Sequence, residues 1–329
     1  MLAAPVLLPA AGRSGPRPIN ARRDVGQVFR LLDLAFGPRL AAGRWATGAG
    51  LSFKLEAPAG LGRRRPGRDI APGFVWEEGG RVVANASLVE ARLPGRFLVA
   101  NVAVDPAYRR QGLGRALMEE CLRHLQRRGA REVLLQVESD NEAGQRLYLG
   151  LGFVCLGNLG RWHTPADRLG SLPVPRTGLP DIRPLPAGAW RAALGLDTLS
   201  LRPELNWPVP PGKDKYGPGL VQRLDDFLNG RRRETWAVAD LDGRQLAGLS
   251  SIFSLWGRPH LIELRVAPAW RGRLERPLLA KALRRLAYLR VGWLQISHPA
   301  DDEITAALLR EANFNLRRTL DVMRLTFSD

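Results

Sequence analysis

Apolar positions along the chain follow two rhythms, and their succession predicts an alternation of strands and helices. Residues 17–36 read as a short strand and then a helix, with Asp24 as its cap and Val25, Val28, Phe29, Leu32 and Phe36 at helical spacing. Residues 37–72 carry little periodicity and read as loop. Gly73 to Trp76, the turn Glu77-Glu78-Gly79-Gly80 and Arg81 to Glu90 form a hairpin pattern. Pro94-Gly95 then leads into Phe97 to Val104, a nearly continuous apolar strand of the kind buried on both faces. Ala116, Leu117, Cys121, Leu122 and Leu125 share one helix face, and Arg127-Arg128-Gly129 ends that helix with basic residues and a glycine. Val133 to Val137 is a further buried strand, so the helix is a crossover and the two strands are parallel. Ser139 and Glu142 read as a capping box for a helix carrying Ala143, Leu147 and Leu151, and Gly152-Phe153-Val154 begins another strand.

The second half repeats this order. Val104-x-Pro-Ala-Tyr-Arg109 returns as Val266-x-Pro-Ala-Trp-Arg271, Leu134 to Val137 resembles Trp293 to Ile296, and Phe153 has a counterpart in Phe314. Matches in the same order point to a tandem repeat of one α/β unit built on a mixed sheet. Pro and Gly recur from Thr164 to Pro186 without apolar periodicity. The expected organisation is therefore one domain over 1–165, a linker over 166–180 and a second domain over 181–329.

Composition changes this picture little. Two cysteines, Cys121 and Cys155, are too few for a disulfide framework and suit a reducing cytoplasm. They and the four histidines fall at no metal-ligand spacing, so no metal is expected. No apolar run is long enough to span a bilayer. The apolar segment Met1 to Ala11 has its first charge, Arg13, after it rather than before, which argues against a signal peptide. The formal charge of +17 would suit nucleic acid, but nearly all the basic residues are arginines in a Gly- and Pro-rich chain, and no nucleic-acid fold signature accompanies them. Biased coding explains the charge better, and the positive field favours an anionic ligand.

The chemistry-bearing stretch is Val102-Ala103-Val104-Asp105-Pro106-Ala107-Tyr108-Arg109-Arg110-Gln111-Gly112-Leu113-Gly114-Arg115. A buried strand, a turn and a glycine-bearing loop entering a helix present backbone N–H groups to an anion. Arg109-Arg-Gln-Gly112-Leu-Gly114 resembles the R/Q-x-x-G-x-G/A loop of the GNAT superfamily of acyl-CoA-dependent N-acyltransferases. Downstream, Asn141, Tyr148 and Gly152-Phe153 resemble the second hallmark of that family. The resemblance is strong over about 73–160 and implies two tandem GNAT domains, the first binding acetyl-CoA as co-substrate without a metal. It assigns Val102, Ala103 and Val104 to the pantetheine arm, Arg109, Arg110, Gln111, Gly112, Leu113, Gly114 and Arg115 to the pyrophosphate, and Asn141 to the cofactor or the helix start.

By the same resemblance Tyr148 is the proton donor to the departing thiolate, while a packed core tyrosine is the alternative. Ribosomal-protein alanine acetyltransferases carry a glutamate where this chain has Gln136, which cannot accept a proton. Glu90 and Glu138 remain as candidate bases acting through water. In the second half Leu274 and Arg276 stand where Gly112 and Gly114 do, Glu275 and Pro277 enter the same loop, and Leu309 replaces Tyr148. Side chains and a negative charge there oppose a phosphate, so this half is expected to be degenerate. The resulting reading is an N-acetyltransferase acting on a primary amine of a small molecule or peptide, with a non-catalytic acyl-CoA sensor as the alternative. The acceptor pocket is expected from about residues 37–72 and 196–220.

Overall fold

The computed structural model describes residues 13–37, 73–91, 93–174, 180–201, 205, 212–240, 242–243, 245–255, 258–289 and 292–327. The expected acceptor region at 38–72 and much of that at 202–211 lie outside these residues. Contacts divide the chain into two compact units, Met1–Leu135 with Arg146–Val154 and Arg324–Asp329, and Gln136–Gln145 with Cys155–Met323. Both are discontinuous in sequence, unlike the expected domains.

The first unit has a mixed sheet ordered β1 (Arg13–Pro18), β2 (Gly73–Glu78), β3 (Arg81–Glu90), β4 (Arg96–Val104) and β5 (Glu132–Glu138). Neighbours are antiparallel except β4 and β5, which are parallel as the crossover helix requires. Helix α1 (Ala21–Phe36) packs Val28, Leu31 and Leu32 on Val75, Val82 and Ala103. Helix α2 (Leu113–Arg127) covers the other face, where His124 meets Phe74 edge to face. Its buried stripe of Leu113, Leu117, Met118, Cys121 and Leu125 follows the apolar spacing.

Local details correct the sequence reading of α1. Its cap is Asn20, whose side chain accepts from the N–H groups of Arg22 and Arg23. Asp24 is instead fully buried, accepts from the Asn20 N–H at 2.7 Å and holds Arg17 at 2.7 and 2.9 Å. Phe29 is exposed and Leu31 takes its place in the core, because the sheet lies under the 28/31/32 stripe.

The second unit orders its strands β12 (Asn315–Thr326), β6 (Val154–Pro165), β11 (Trp293–Pro299), β10 (His260–Val266), β9 (Leu246–Leu255), β8 (Arg231–Ala239) and β7 (Arg183–Pro184). Helix α4 (Trp190–Ser200) packs Ala193 and Leu196 on Ala237 and Leu249. Helix α6 (Glu275–Ala287) packs Leu278, Leu279 and Leu283 on the alternate positions Trp236, Val238 and Ile252, so the two helices cover opposite faces. Helix α3 (Glu142–Leu149) follows β5 and is shared between the units, α5 (Leu220–Leu228) precedes α6, and α7 (Glu303–Glu311) follows β11.

The neighbour of β11 is β6, from the first half of the sequence, over the pairs Trp293↔Pro165 to Pro299↔Leu159. A simple copy of the repeat would place β12 there. Residues 166–174, expected as linker, pack on this unit's core: Leu172 is buried and the Gly170 N–H donates to Ala312.

Candidate active site

Strands β4 and β5 pair only through Arg96↔Glu132, Phe97↔Val133 and Leu98↔Leu134. Beyond Leu98, β4 continues to Val104 with no ladder partner on β5, so Val102, Ala103 and Val104 lie on an edge that an extended ligand can meet. Strand β4 also carries a bulge. Asn85 faces Ala103 while Ser87 faces Ala100, and Asn101 between them has φ +52°. The fully buried Asn85 amide donates to the Asn101 carbonyl at 2.8 Å, and Ser87 Oγ lies 3.3 Å from Asn85 Nδ2 and 3.4 Å from Asn101 Nδ2. This polar trio escaped the sequence reading; two asparagines inside apolar strands were the available signal.

After β4 the Asp105 side chain caps a short turn over Pro106–Tyr108 by accepting from the Ala107 N–H at 3.0 Å. Arg109 Nε donates back to the Val104 carbonyl at 3.2 Å, and Arg110 takes φ +61°. Gln111 Nε2 donates to the Ala107 carbonyl at 3.3 Å. Gly112 has φ +83° and caps α2, and a Cβ there would meet nothing within 4 Å. The first intrahelical bond runs from Ala116 to the Gly112 carbonyl. The N–H groups of Leu113, Gly114 and Arg115 therefore have no acceptor among the described residues, and they open beside the space at Gly112.

Gly114 plays a different part from Gly112. A Cβ on it would lie 3.5 Å from Val104 and 3.7 Å from Leu147, ordinary van der Waals contact, so the packing of α2 on β4 and α3 does not require a glycine there. Arg115 Nη2 donates to the Gly150 carbonyl at 3.1 Å and ties α2 to the chain just after α3. Its other nitrogen pairs with Glu119 at 3.3 Å.

Tyr148 is buried, with its ring edge to face against Phe153 at 5.9 Å. Its carbonyl accepts from the N–H groups of Leu151 and Phe153, which closes the helix. Its hydroxyl has no hydrogen-bond partner among the described residues, and burial pushes its pKa upward. The phenol thus stays protonated at neutral pH, a state that can give a proton and not take one. Asn141 caps α3 by accepting from the Gly144 N–H at 3.0 Å, so the expected box of Ser139 and Glu142 does not form. Ser139 is engaged elsewhere, with Asp321 at 2.5 Å.

The register of β3 on β4 sets Glu90 opposite Phe97, at the far end from Val104, and Glu90 is exposed. Glu138 lies 3.9 Å from Arg318, and Gln136 accepts from Arg161 at 3.5 Å. No cluster of three or more metal-ligating side chains occurs among the described residues.

The second unit repeats this backbone and alters its chemistry. Pro268–Trp270 forms the same short turn, and Gly272 at φ +80° matches Arg110. The Phe314 N–H donates to the Leu309 carbonyl as Phe153 does to Tyr148, and Asp302 caps α7 as Asn141 caps α3. These anchors move the match of β5 and β11 two residues from the Leu134-to-Val137 alignment. Strand β10 pairs with β9 without a bulge, and Leu249 stands opposite Arg265 where Asn85 stands opposite Ala103. Leu274 is buried at φ −104° in place of Gly112, and Arg276 makes two 2.7 Å bonds to Glu311.

With this geometry in hand, known proteins resemble the chain at two levels. Residues 52–153 match the Acetyltransferase (GNAT) family. A [Ribosomal protein bS18]-alanine N-acetyltransferase of Escherichia coli (strain K12) is 51% identical over 53 residues, which are 16% of this chain and 36% of that protein. A mycothiol acetyltransferase of Amycolatopsis mediterranei (strain U-32) is 44% identical over 87 residues, 24% of this chain and 29% of that protein. The chain thus spans about a third of the length of these curated relatives.

Among solved structures, a tandem GNAT protein from the clavulanic acid biosynthesis pathway superposes with a TM-score of 0.55 at 18% identity, covering 95% of this chain and 100% of that one. A GCN5-related N-acetyltransferase from Sphaerobacter thermophilus gives 0.62 at 17% identity over 94% and 95%. Residues 52–153 thus match a GNAT acetyltransferase domain, and the chain shares its fold with a tandem GNAT protein.

Proposed function

We propose that this chain moves an acetyl group from acetyl-CoA to a primary amine by direct attack within a ternary complex. One observation carries the reading: the parted end of β4 runs straight into a loop whose Gly112 and free N–H groups open a helix start. A pyrophosphate is met there by Leu113, Gly114 and Arg115 N–H groups, by the positive end of α2 and by the exposed Arg110 guanidinium. The free edge of Val102 to Val104 offers backbone partners to an extended amide-bearing arm.

In the transfer the amine nitrogen forms a bond to the thioester carbonyl carbon and the C–S bond breaks. The departing thiolate takes the hydroxyl proton of Tyr148, which solvent then restores, while the amine's surplus proton passes to water. A phenol without another partner is suited to this donation. On this reading a competent half, 1–165, precedes a degenerate half, 181–329, with 166–180 between them in sequence. The acceptor is a small molecule or a peptide; the relatives' names cover both kinds, a ribosomal protein and mycothiol.

Release of free thiol from acetyl-CoA, measured against a panel of amines, N-terminal peptides and amino sugars, tests the proposal. Acceptor-dependent release is expected. Tight acetyl-CoA binding without release for any acceptor would favour the sensor.

A further inference from the structure

The second unit has a cleft of its own. Strands β10 and β11 pair only from His260↔Leu294 to Ile262↔Ile296 and then part, as β4 and β5 do. The cleft lies beyond that point and is lined by Ser200, Arg265, Arg271, Glu275, His298 and Asp302 among others. Glu275 falls where Leu113 stands in the first loop, so the position that offers N–H groups in one copy carries a carboxylate in the other.

Three lining residues are incompletely satisfied. Glu275 Oε2, His298 Nδ1 and Ser200 Oγ are buried atoms without a hydrogen-bond partner among the described residues. Glu275 is 3% exposed and has no ion pair among the described residues. Of the cations lining the cleft, Arg265 is paired with Asp197, its Nε donating at 2.6 Å, and the exposed Arg271 donates to the Ser200 carbonyl at 3.2 Å. His298 Nε2 lies 2.7 Å from Asp302 Oδ2, which also accepts from Thr305 Oγ1 at 3.0 Å. An ionised Asp302 only accepts, so Nε2 donates to it, and in a singly protonated ring Nδ1 is then an acceptor.

A buried carboxylate without a partner is costly, and two further acceptors beside it raise that cost. An anionic ligand would add repulsion. A primary ammonium group carries one positive charge and three N–H donors, which match a carboxylate, an imidazole nitrogen and a hydroxyl. We propose that this cleft binds the protonated amino group of a small molecule, with Glu275 as its charge partner and His298 and Ser200 as acceptors. The cleft is built from other residues than the acetyl-CoA loop, and the proposal stands whether or not the first unit transfers acetyl groups.

The test uses the full chain with isotope-labelled histidine, the His298 imidazole signals being assigned with His298→Gln. Without acetyl-CoA, n-butylammonium is expected to shift the His298 signals saturably, and n-butanol and tetramethylammonium are not. Glu275→Gln should weaken the n-butylammonium titration by about tenfold or more while leaving the thermal unfolding midpoint unchanged or higher. A flat titration, as a lone bound water would give, overturns the proposal. So does an equal response to n-butanol or tetramethylammonium, or undiminished affinity in a folded Glu275→Gln. The contrast among the three probes on the unsubstituted protein decides the matter even if that variant does not fold.

Discussion

Single residues separate binding, chemistry and folding in this site. Tyr148→Phe removes a hydroxyl that has no partner among the described residues, so its stability cost is small. If Tyr148 protonates the thiolate, turnover should drop by about 10²-fold or more while acetyl-CoA affinity holds. Calorimetry and steady-state kinetics on the same preparation check this, and unchanged turnover would return Tyr148 to the core. Gly112 and Gly114 should also part company. Gly112→Ala forces a Cβ onto φ +83° and should lose about 1–2 kcal/mol of stability together with cofactor affinity. Gly114→Ala makes only ordinary contacts with Val104 and Leu147, so chemical denaturation should show little loss, or a gain of up to about 1 kcal/mol.

At the scale of elements, the bulged strand β4 separates the two copies. The Asn85 amide holds the Asn101 carbonyl at the bulge, while the corresponding β10 runs straight with Leu249 in that place. Asn85→Leu, which copies the second unit, should cost about 1–3 kcal/mol by stranding a partly buried carbonyl. It should also cut activity beyond what the stability loss explains, because Val102 to Val104 follow directly on the bulge. Urea unfolding and thiol release measured side by side would show this. Activity falling only in step with the folded fraction would reduce Asn85 to a packing residue.

At the scale of the molecule, β6 follows the Tyr148 helix in sequence but takes β11 as its partner within the second unit. A fragment ending at residue 165 would lack that partner and expose a long unpaired strand. Expressed alone, it should aggregate in size-exclusion chromatography while the full chain stays dispersed. Acid stability is a further property of the whole. Hydrogen bonds from Arg17, against the cost of burial, hold Asp24 below its usual 3.8, and Asp302 is lowered by His298 and Thr305 despite a larger desolvation cost. Such groups contribute stability that is present above about pH 4 and is lost as pH falls toward their folded values. The thermal midpoint should therefore fall as pH drops from about 5 to 2, and less steeply in Asp302→Asn.

The order of strands and helices, the repeat, and the loop from Val102 to Arg115 are legible in the amino-acid sequence. Each rests on local physics: apolar periodicity, glycine at positive φ, and free N–H groups at a helix start. The sequence also marks the second copy as altered, since Leu274, Arg276 and Pro277 are visible residue by residue. Tertiary structure alone decided which strand lies beside which. The partner of β11 depends on edges brought together over more than a hundred residues, and local periodicity is the same for either choice. The bulge at Asn101, Asn141 rather than Ser139 as cap, and Glu275 as a buried carboxylate without an ion pair among the described residues belong to the same class. Each is fixed by what surrounds a side chain once the sheet has formed, which the one-dimensional pattern does not encode.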